Sequence, residues 1–226
     1  MRTVMLAGVV PAGVAVAEVF GEDLDEGGLL PEEEPAIAGA VEQRRREYTA
    51  VRVCARLALA RAGLPPAAIV PGPSRAPIWP PGVVGSMTHC AGYRGCAVAR
   101  SEVIAAIGID AEPHEALPAE VLPTVASRAE RAALAALAGA DPAISWDRIL
   151  FSAKESVFKA WFPAAGAWLG FDDAEVVIDR PGTFTARLAV PGPVVGGRPL
   201  TGYQGRWLVS RGLIATAVTV PAAGVP

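Results

Sequence analysis

The chain has 226 residues, 52% hydrophobic and 19% charged, with a formal net charge of −3. This composition supports a folded core and excludes a disordered chain, and the negative balance excludes a general nucleic-acid binder, so any basic site must be local. Cys54, Cys90 and Cys96 are an odd count without a C-x-x-C pair, which speaks against a zinc site or a disulfide framework and suits a reducing compartment.

In chain order, Arg2 opens an apolar run that Gly8, Pro11 and Gly13 interrupt and Glu18 soon follows. Residues 4–20 therefore read as short strand segments rather than a signal peptide. Apolar stretches without interruption fall short of the ~18 residues of a spanning helix, so a cytoplasmic protein without membrane contact is expected. Residues 21–35, acidic and rich in Gly and Pro, read as a loop. A helical pattern runs from about Glu32 to Ala62, with acids at its start and arginines toward its end as the helix dipole favours. Gly63-Leu64-Pro65-Pro66 stops it, and a Pro-rich loop fills 64–82.

Residues 83–100 carry apolar segments around a turn at Ala91-Gly92-Tyr93-Arg94-Gly95, and VIAAIGIDAEP reads as a buried strand ending in acid and proline. Ser127 to Leu137 is predicted helical, with Ser127 and Glu130 at capping-box spacing. A second helix is predicted over 147–162. The remainder alternates strands and turns (AEVVIDR, TFTARLAV, GRWLVS, LIATAVTV), the last two joined at Arg211-Gly212. The order strand-helix-strand-strand occurs twice. It predicts an α+β fold of two similar halves, residues 1–106 and 107–226.

Four segments carry candidate chemistry. In Gly108-Ile109-Asp110-Ala111-Glu112, residues i and i+2 of a strand point the same way. Two such carboxylates suit Mg²⁺, which takes one or two carboxylates, waters and phosphate oxygens; they equally suit a solvated edge before a turn. Residues 151–162 hold the chain's only lysines, Lys154 and Lys159, among aromatics. On a helix Glu155 and Lys159 are neighbours and can form a surface ion pair, and Ser152 and Glu155 match capping spacing. His89 follows a short strand before a Gly-rich turn, as a hydrogen-bonded structural residue or as a donor to an anion. Arg44, Tyr48 and Arg52 share one helical face, which suits phosphate or is a solvated basic face.

Together these segments resemble the Sfp-type 4′-phosphopantetheinyl transferases, especially the actinobacterial and enterobactin-synthetase-like branch. The family pattern G-[IV]-D-x-E stands at Gly108 to Glu112, and [FW]-[SC]-x-K-E-[AS]-x-[FY]-K at Phe151 to Lys159. Gly85 to Cys90 and Arg44 to Arg56 match further family segments, as do Ala160-Trp161-Phe162-Pro163 and Trp168-Leu169-Gly170-Phe171. The resemblance implies a pseudo-twofold α+β fold with the active site between the halves. It implies transfer of the phosphopantetheine arm of coenzyme A to a serine of an apo acyl or peptidyl carrier protein, with Mg²⁺ (or Mn²⁺), by a monomer. It also assigns residues. Asp110, Glu112 and Glu155 would converge on the metal, and Lys159 would face the pyrophosphate. His89, Arg44 and Arg52 would hold the 3′-phosphate end, Thr88 would be a neighbouring backbone contact, and Leu169 would line the pantetheine arm. Glu155, directly or through a metal-bound water, would serve as base. Relatives carry a loop lysine where this chain has Pro71; Arg75 is the candidate replacement. A catalytically silent module that binds coenzyme A or a carrier protein is the alternative. An unrelated Mg²⁺-dependent nucleotide hydrolase is disfavoured, because G-x-x-x-x-G-K-[ST] is absent.

Overall fold

The computed structural model describes residues 5–21 and 27–223. Residue 4 of the 4–20 reading and residues 22–26 of the expected acidic loop lie outside them. Ten strands and four α-helices follow in order, with short 3₁₀ turns between. The first strand is β1 (Ala15–Phe20), and the residues before it form a 3₁₀ turn at Leu6–Gly8 instead of a further strand. Backbone N–H groups of Met5 and Leu6 donate to the Glu18 carboxylate, which satisfies the donors of that turn.

The first long helix, α1 (Glu42–Arg61), begins ten residues later than the pattern suggested. Pro35 sits in a separate 3₁₀ turn (Glu34–Ile37), and Val41 adopts extended angles as N-cap. Arg45 Nη1 reaches back to the Ile37 carbonyl at 2.8 Å, and Arg56 pairs with the fully buried Glu33, so the segment before the helix is tied to its flank.

Strand β2 (Val83–Cys90) turns through Ala91-Gly92 into β3 (Tyr93–Arg100), which pairs with β1 to give a three-stranded antiparallel sheet of order β1-β3-β2. β4 (Ile104–Pro113) leads to a four-residue helix α2 (Leu122–Val125), which the sequence pattern did not reveal, then α3 (Arg128–Ala140) and α4 (Trp146–Ala165). The expected capping box opens α3: Glu130 N–H donates to Ser127 Oγ at 3.1 Å, and Ser127 N–H to Glu130 Oε2 at 2.7 Å. α4 runs through Pro163 and stops at Gly166, whose φ of +64° suits a left-handed cap. Strands β5 (Ala174–Asp179), β6 (Thr183–Leu188), β9 (Gly202–Ser210) and β10 (Leu213–Pro221) complete a five-stranded antiparallel sheet of order β4-β10-β9-β6-β5. A small pair, β7 (Val194–Val195) and β8 (Arg198–Pro199), lies between. Arg211 and Gly212, both at positive φ, make the tight turn expected between β9 and β10.

Strand alternation sorts these elements into four layers. Cys96 and Val98 of β3 pack with Cys54, Ala55, Ala58 and Leu59 of α1. The opposite face of β3 (Tyr93, Ala97, Ala99) meets Ile107, Ile109 and Ala111 of β4 and Ala215 and Ala217 of β10. The far face of the five-stranded sheet packs under α4 through Ile149, Leu150, Ala153 and Val157. The result is the expected α+β fold, helix–sheet–sheet–helix. Among the described residues, no helix is long and apolar enough to cross a membrane.

Two contacts set the geometry at β4. Its N–H groups at Ile109 and Ala111 donate to Ser86 Oγ (3.1 Å) and Thr88 Oγ1 (3.0 Å), so side chains of β2 rather than its backbone satisfy that edge. At Gly108 the backbone of α4 presses onto the strand: a Cβ there would lie 1.8 Å from the Ser156 carbonyl oxygen. Gly108→Ala is expected to cost about 3 kcal/mol or more by overpacking. Gly139→Ala, in open space on exposed α3, is expected to gain about 0.5 kcal/mol. Urea unfolding midpoints of the two variants check both signs.

Candidate active site

The site is built on β4 and α4. Asp110 and Glu112 share the face of β4 that looks toward α4. From α4, Arg148, Ser152, Glu155 and Lys159, spaced i, i+4, i+7 and i+11, form one stripe along that face. Asp110 is buried and fully engaged. Lys159 Nζ donates to its Oδ1 at 2.7 Å, Thr88 Oγ1 to the same oxygen at 3.3 Å, and Ser152 Oγ to Oδ2 at 2.8 Å. Ser152 is held in turn by Thr216 of β10, whose hydroxyl lies 2.9 Å from Ser152 Oγ and donates to the Ser152 carbonyl at 2.8 Å. Ser152 is therefore not a helix cap but a support for Asp110 two turns inside α4.

Glu112 meets Arg148. Nη1 of Arg148 donates to Glu112 Oε2 at 3.0 Å, Nε to the Glu115 carbonyl at 3.1 Å and Nη2 to the Ala116 carbonyl at 3.1 Å. Burial pushes the Glu112 carboxyl up to about 7, and the Asp110 charge adds to that despite Arg148. Burial, then Asp110, also raises Glu155, and Lys159 opposes them. Glu155 accepts no hydrogen bond among the described residues, and Lys159 pairs with Asp110 rather than with Glu155.

The expected convergence of three acids on one point takes a looser form. Among the described residues, no three carboxylate, imidazole or thiolate groups are gathered as a set able to hold a metal ion. Lys159, Thr88 and Ser152 engage Asp110, and Arg148 engages one oxygen of Glu112. The three acids remain linked through Asp110, whose charge raises each of the others. The two lysines separate. Lys154 is buried, donating to Glu130 Oε2 at 2.9 Å and to the Phe171 carbonyl at 2.8 Å, while Glu130 also accepts from Val176 N–H. Lys154 thus joins α4 to α3 and takes no part in the site.

Beside the acids opens a cleft of about 710 Å³ between α1, the loop 71–77, β2 and the C-terminal end of α4. Arg44, Arg52, Arg75, His89 and Lys159 all line it; Glu47 is the acid among them. Arg52 is buried. Its guanidinium lies 3.3 Å over the centre of the Tyr48 ring, and its Nε donates to the Ile69 carbonyl at 3.2 Å. His89 Nε2 is 3.5 Å from Glu47 Oε2. Burial lowers its pKa, and Glu47 opposes that shift. The loop closes on itself through Gly72 N–H to the Ala76 carbonyl (2.7 Å) and a bridge between Pro71 and Pro77; Ser74 and Arg75 sit at φ of 51° and 65° to turn it. That turn puts Arg75 on the cleft wall.

Two expected residues are elsewhere. Thr88 is tied to β4 and Asp110, and Leu169 is buried in the core around α4; neither lines the cleft. Beside Leu169, Trp168 is exposed and its ring stands 4.8 Å from that of Phe158, a cleft residue. All three cysteines are free, and burial pushes Cys54 up to about 11 and Cys90 up to about 12, which leaves them as unreactive thiols. The arrangement is a cation-lined pocket that opens beside Asp110 through Lys159.

Residues 32–99 match the family described as 4′-phosphopantetheinyl transferase N-terminal domain, and residues 106–207 match the 4′-phosphopantetheinyl transferase superfamily. The chain is 53% identical to 4′-phosphopantetheinyl transferase Svp of Streptomyces mobaraensis, over 96% of this chain and 90% of that protein. It is 47% identical to 4′-phosphopantetheinyl transferase PptT of Mycobacterium tuberculosis, over 96% and 98%. Enterobactin synthase component D of Salmonella typhi is 33% identical over 62% of this chain and 57% of that protein.

The two lysines are expected to separate in experiment as well. Lys154→Met strands the buried Glu130 charge and is expected to cost about 3–5 kcal/mol. Lys159→Met is expected to cost less, about 1.5–3 kcal/mol, because Lys159 is partly exposed and Asp110 keeps its two hydroxyl donors. Denaturant titration of both variants checks the difference.

Proposed function

The chain belongs to the 4′-phosphopantetheinyl transferase superfamily, and from that premise we propose that the arginine-lined cleft binds coenzyme A while Asp110, Glu112 and Glu155 hold Mg²⁺ beside its pyrophosphate. The enzyme transfers the phosphopantetheine arm of coenzyme A to carrier proteins. The observation that carries the site assignment is the juxtaposition of the two halves of the chemistry on Lys159, which touches Asp110 and also lines the cleft.

The carboxylates suit such a cation. They offer oxygen donors only, as a hard ion requires, and Asp110 already raises both Glu112 and Glu155, a repulsion that a divalent cation relieves. When bound, the ion neutralises the pyrophosphate and the charge developing on the leaving oxygen. The chain's own residues do the rest. Arg52, held over Tyr48, and Arg44 with His89 take the 3′-phosphate end. Arg75, presented by its loop, supplies the positive charge that Pro71 lacks. Lys159 gives a fixed charge toward the pyrophosphate. Glu155, which accepts no hydrogen bond among the described residues, stands as base for the serine hydroxyl of the carrier protein. The arm leaves along Phe158 and Trp168, with Leu169 beneath and Thr88 contributing through the strand it anchors.

We further read 1–106 and 107–226 as the two halves of one site, so that a single chain is complete as a monomer. The 106/107 division falls within β4, the strand on which both halves close. Siderophore assembly is one setting that the enterobactin synthase relative suggests; fatty-acid, polyketide and nonribosomal-peptide carriers share the same serine chemistry.

Incubation with coenzyme A, Mg²⁺ and a panel of apo carrier proteins is expected to add the mass of the phosphopantetheine arm; no gain on any carrier would favour the silent binding module. Asp110→Asn and Glu155→Gln are expected to abolish transfer while remaining folded by circular dichroism. Arg52→Ala is expected to raise the KM for coenzyme A at least about tenfold, as loss of a charge-assisted phosphate contact does, with a much smaller rise for dephospho-coenzyme A. Equal rises would remove Arg52 from the 3′-phosphate.

A further inference from the structure

Arg148 has no part in the assignment above, yet it makes three hydrogen bonds around Glu112. It sits two turns before Glu155 on the same stripe of α4 and is mostly buried, with 13% of its side chain exposed. Its Nη1 binds Glu112 Oε2, while Nε and Nη2 hold the carbonyls of Glu115 and Ala116, so one planar guanidinium fixes both the carboxylate and the chain just after it. One oxygen of Glu112 is thereby committed to a fixed positive group. A cation that drew on both oxygens would have to settle against that guanidinium; a cation that drew on Oε1 alone would not.

We propose that Arg148 is a positioning residue that restricts Glu112 to a single donor oxygen and so sets the selectivity of the site for small six-coordinate ions over Ca²⁺. The inference rests on the reading of Glu112 as a metal-holding carboxylate. Its chemistry follows from how the ions differ. Mg²⁺ and ions of similar demand accept few, single-oxygen carboxylates at short distance and keep the remaining positions for water and phosphate. Ca²⁺ favours more oxygens and readily takes a carboxylate by both. The engaged oxygen removes the arrangement that Ca²⁺ gains from, at no cost to the smaller ion. The chain just after Glu112 is held by the same element: Arg148 binds the carbonyls of 115 and 116, and Asp147 accepts the Leu117 N–H at 2.9 Å, so the guanidinium that engages Oε2 is itself fixed in place.

The test reads ion binding directly. Mn²⁺ bound to the protein with coenzyme A is followed by the loss of its free electron-paramagnetic-resonance signal, corrected for uptake by coenzyme A alone, and Mg²⁺ and Ca²⁺ are titrated as competitors. In the wild type Mg²⁺ is expected to compete better than Ca²⁺. In Arg148→Gln the Mg²⁺-to-Ca²⁺ preference is expected to fall by about tenfold or more, the usual scale for loss of a partner that orients a metal ligand. Arg148→Lys keeps a positive charge beside Glu112 but gives up the carbonyl contacts, and it is expected to restore most of the wild-type preference. An unchanged preference in Arg148→Gln, with Glu112→Gln still weakening Mn²⁺, overturns the selectivity role and leaves the metal reading standing. Mn²⁺ affinity unaltered in Glu112→Gln overturns that reading and the inference with it. Equal loss for all three ions in Arg148→Gln, or the same shift in Arg148→Lys, assigns Arg148 to loop structure alone and overturns the proposal.

Discussion

The structure turns on how the edge of one strand is satisfied. β4 has a backbone ladder to β10 on one side only; on the other, the hydroxyls of Ser86 and Thr88 receive its N–H groups. A ladder of backbone bonds there would have merged the two sheets into one. Two hydroxyls close the edge at about 1 kcal/mol each, avoid the larger cost of buried orphan donors, and let the three-stranded sheet diverge. The divergence leaves the space into which α1 presents Arg44 and Arg52 and the loop presents Arg75. Thr88 serves twice, accepting from Ala111 and donating to Asp110, so the seam between the sheets is also a wall of the carboxylate cluster.

Charge placement follows from that seam. A buried carboxylate is tolerated only when its lone pairs are met, and Asp110 has an ammonium and two hydroxyls around it. Glu112 and Glu155 are less fully compensated, and burial together with the Asp110 charge raises both. Arg44, Arg52, Arg75 and His89 line the cleft, with Glu47 among them, while Arg148 stands against Glu112 and Lys159 touches both Asp110 and the cleft. Burial lowers the His89 pKa, and Arg52 stacks closely on Tyr48 at the wall of the same cleft.

Much of this was legible in the residue order because the relevant signals are short-range. The i, i+2 placement of Asp110 and Glu112, the capping box of Ser127 and Glu130, the Arg44–Tyr48–Arg52 face and the turn at Arg211-Gly212 all depend on spacings of a few residues. What escaped depends on partners far along the chain. Arg148 reads as an ordinary surface arginine until Glu112, 36 residues earlier, is seen beside it. Ser152 mimics a cap because S-x-x-E is a local pattern, whereas its partners Asp110 and Thr216 are 42 and 64 residues away. Spacing alone does not separate Lys154 from Lys159; their partners do, because Lys154 is buried against Glu130 whereas Lys159 reaches Asp110 at the edge of the cleft. The start of α1 was misread because acids favourable to a helix continue upstream, past the point where Pro35 and Gly39 break it.

The contact at Gly108 has a consequence for how such an enzyme can diverge. Where the carbonyl of Ser156 rests on a bare α-carbon, no rotamer lies between helix and strand to absorb an error, and the offset between acids on one and lysine on the other is set by main-chain atoms alone. Insertions within either motif would shift the two scales of this ruler against each other. The exposed stretch between Pro118 and Val121 touches neither scale, so a change of chain length there leaves the offset between Asp110 and Lys159 unaltered.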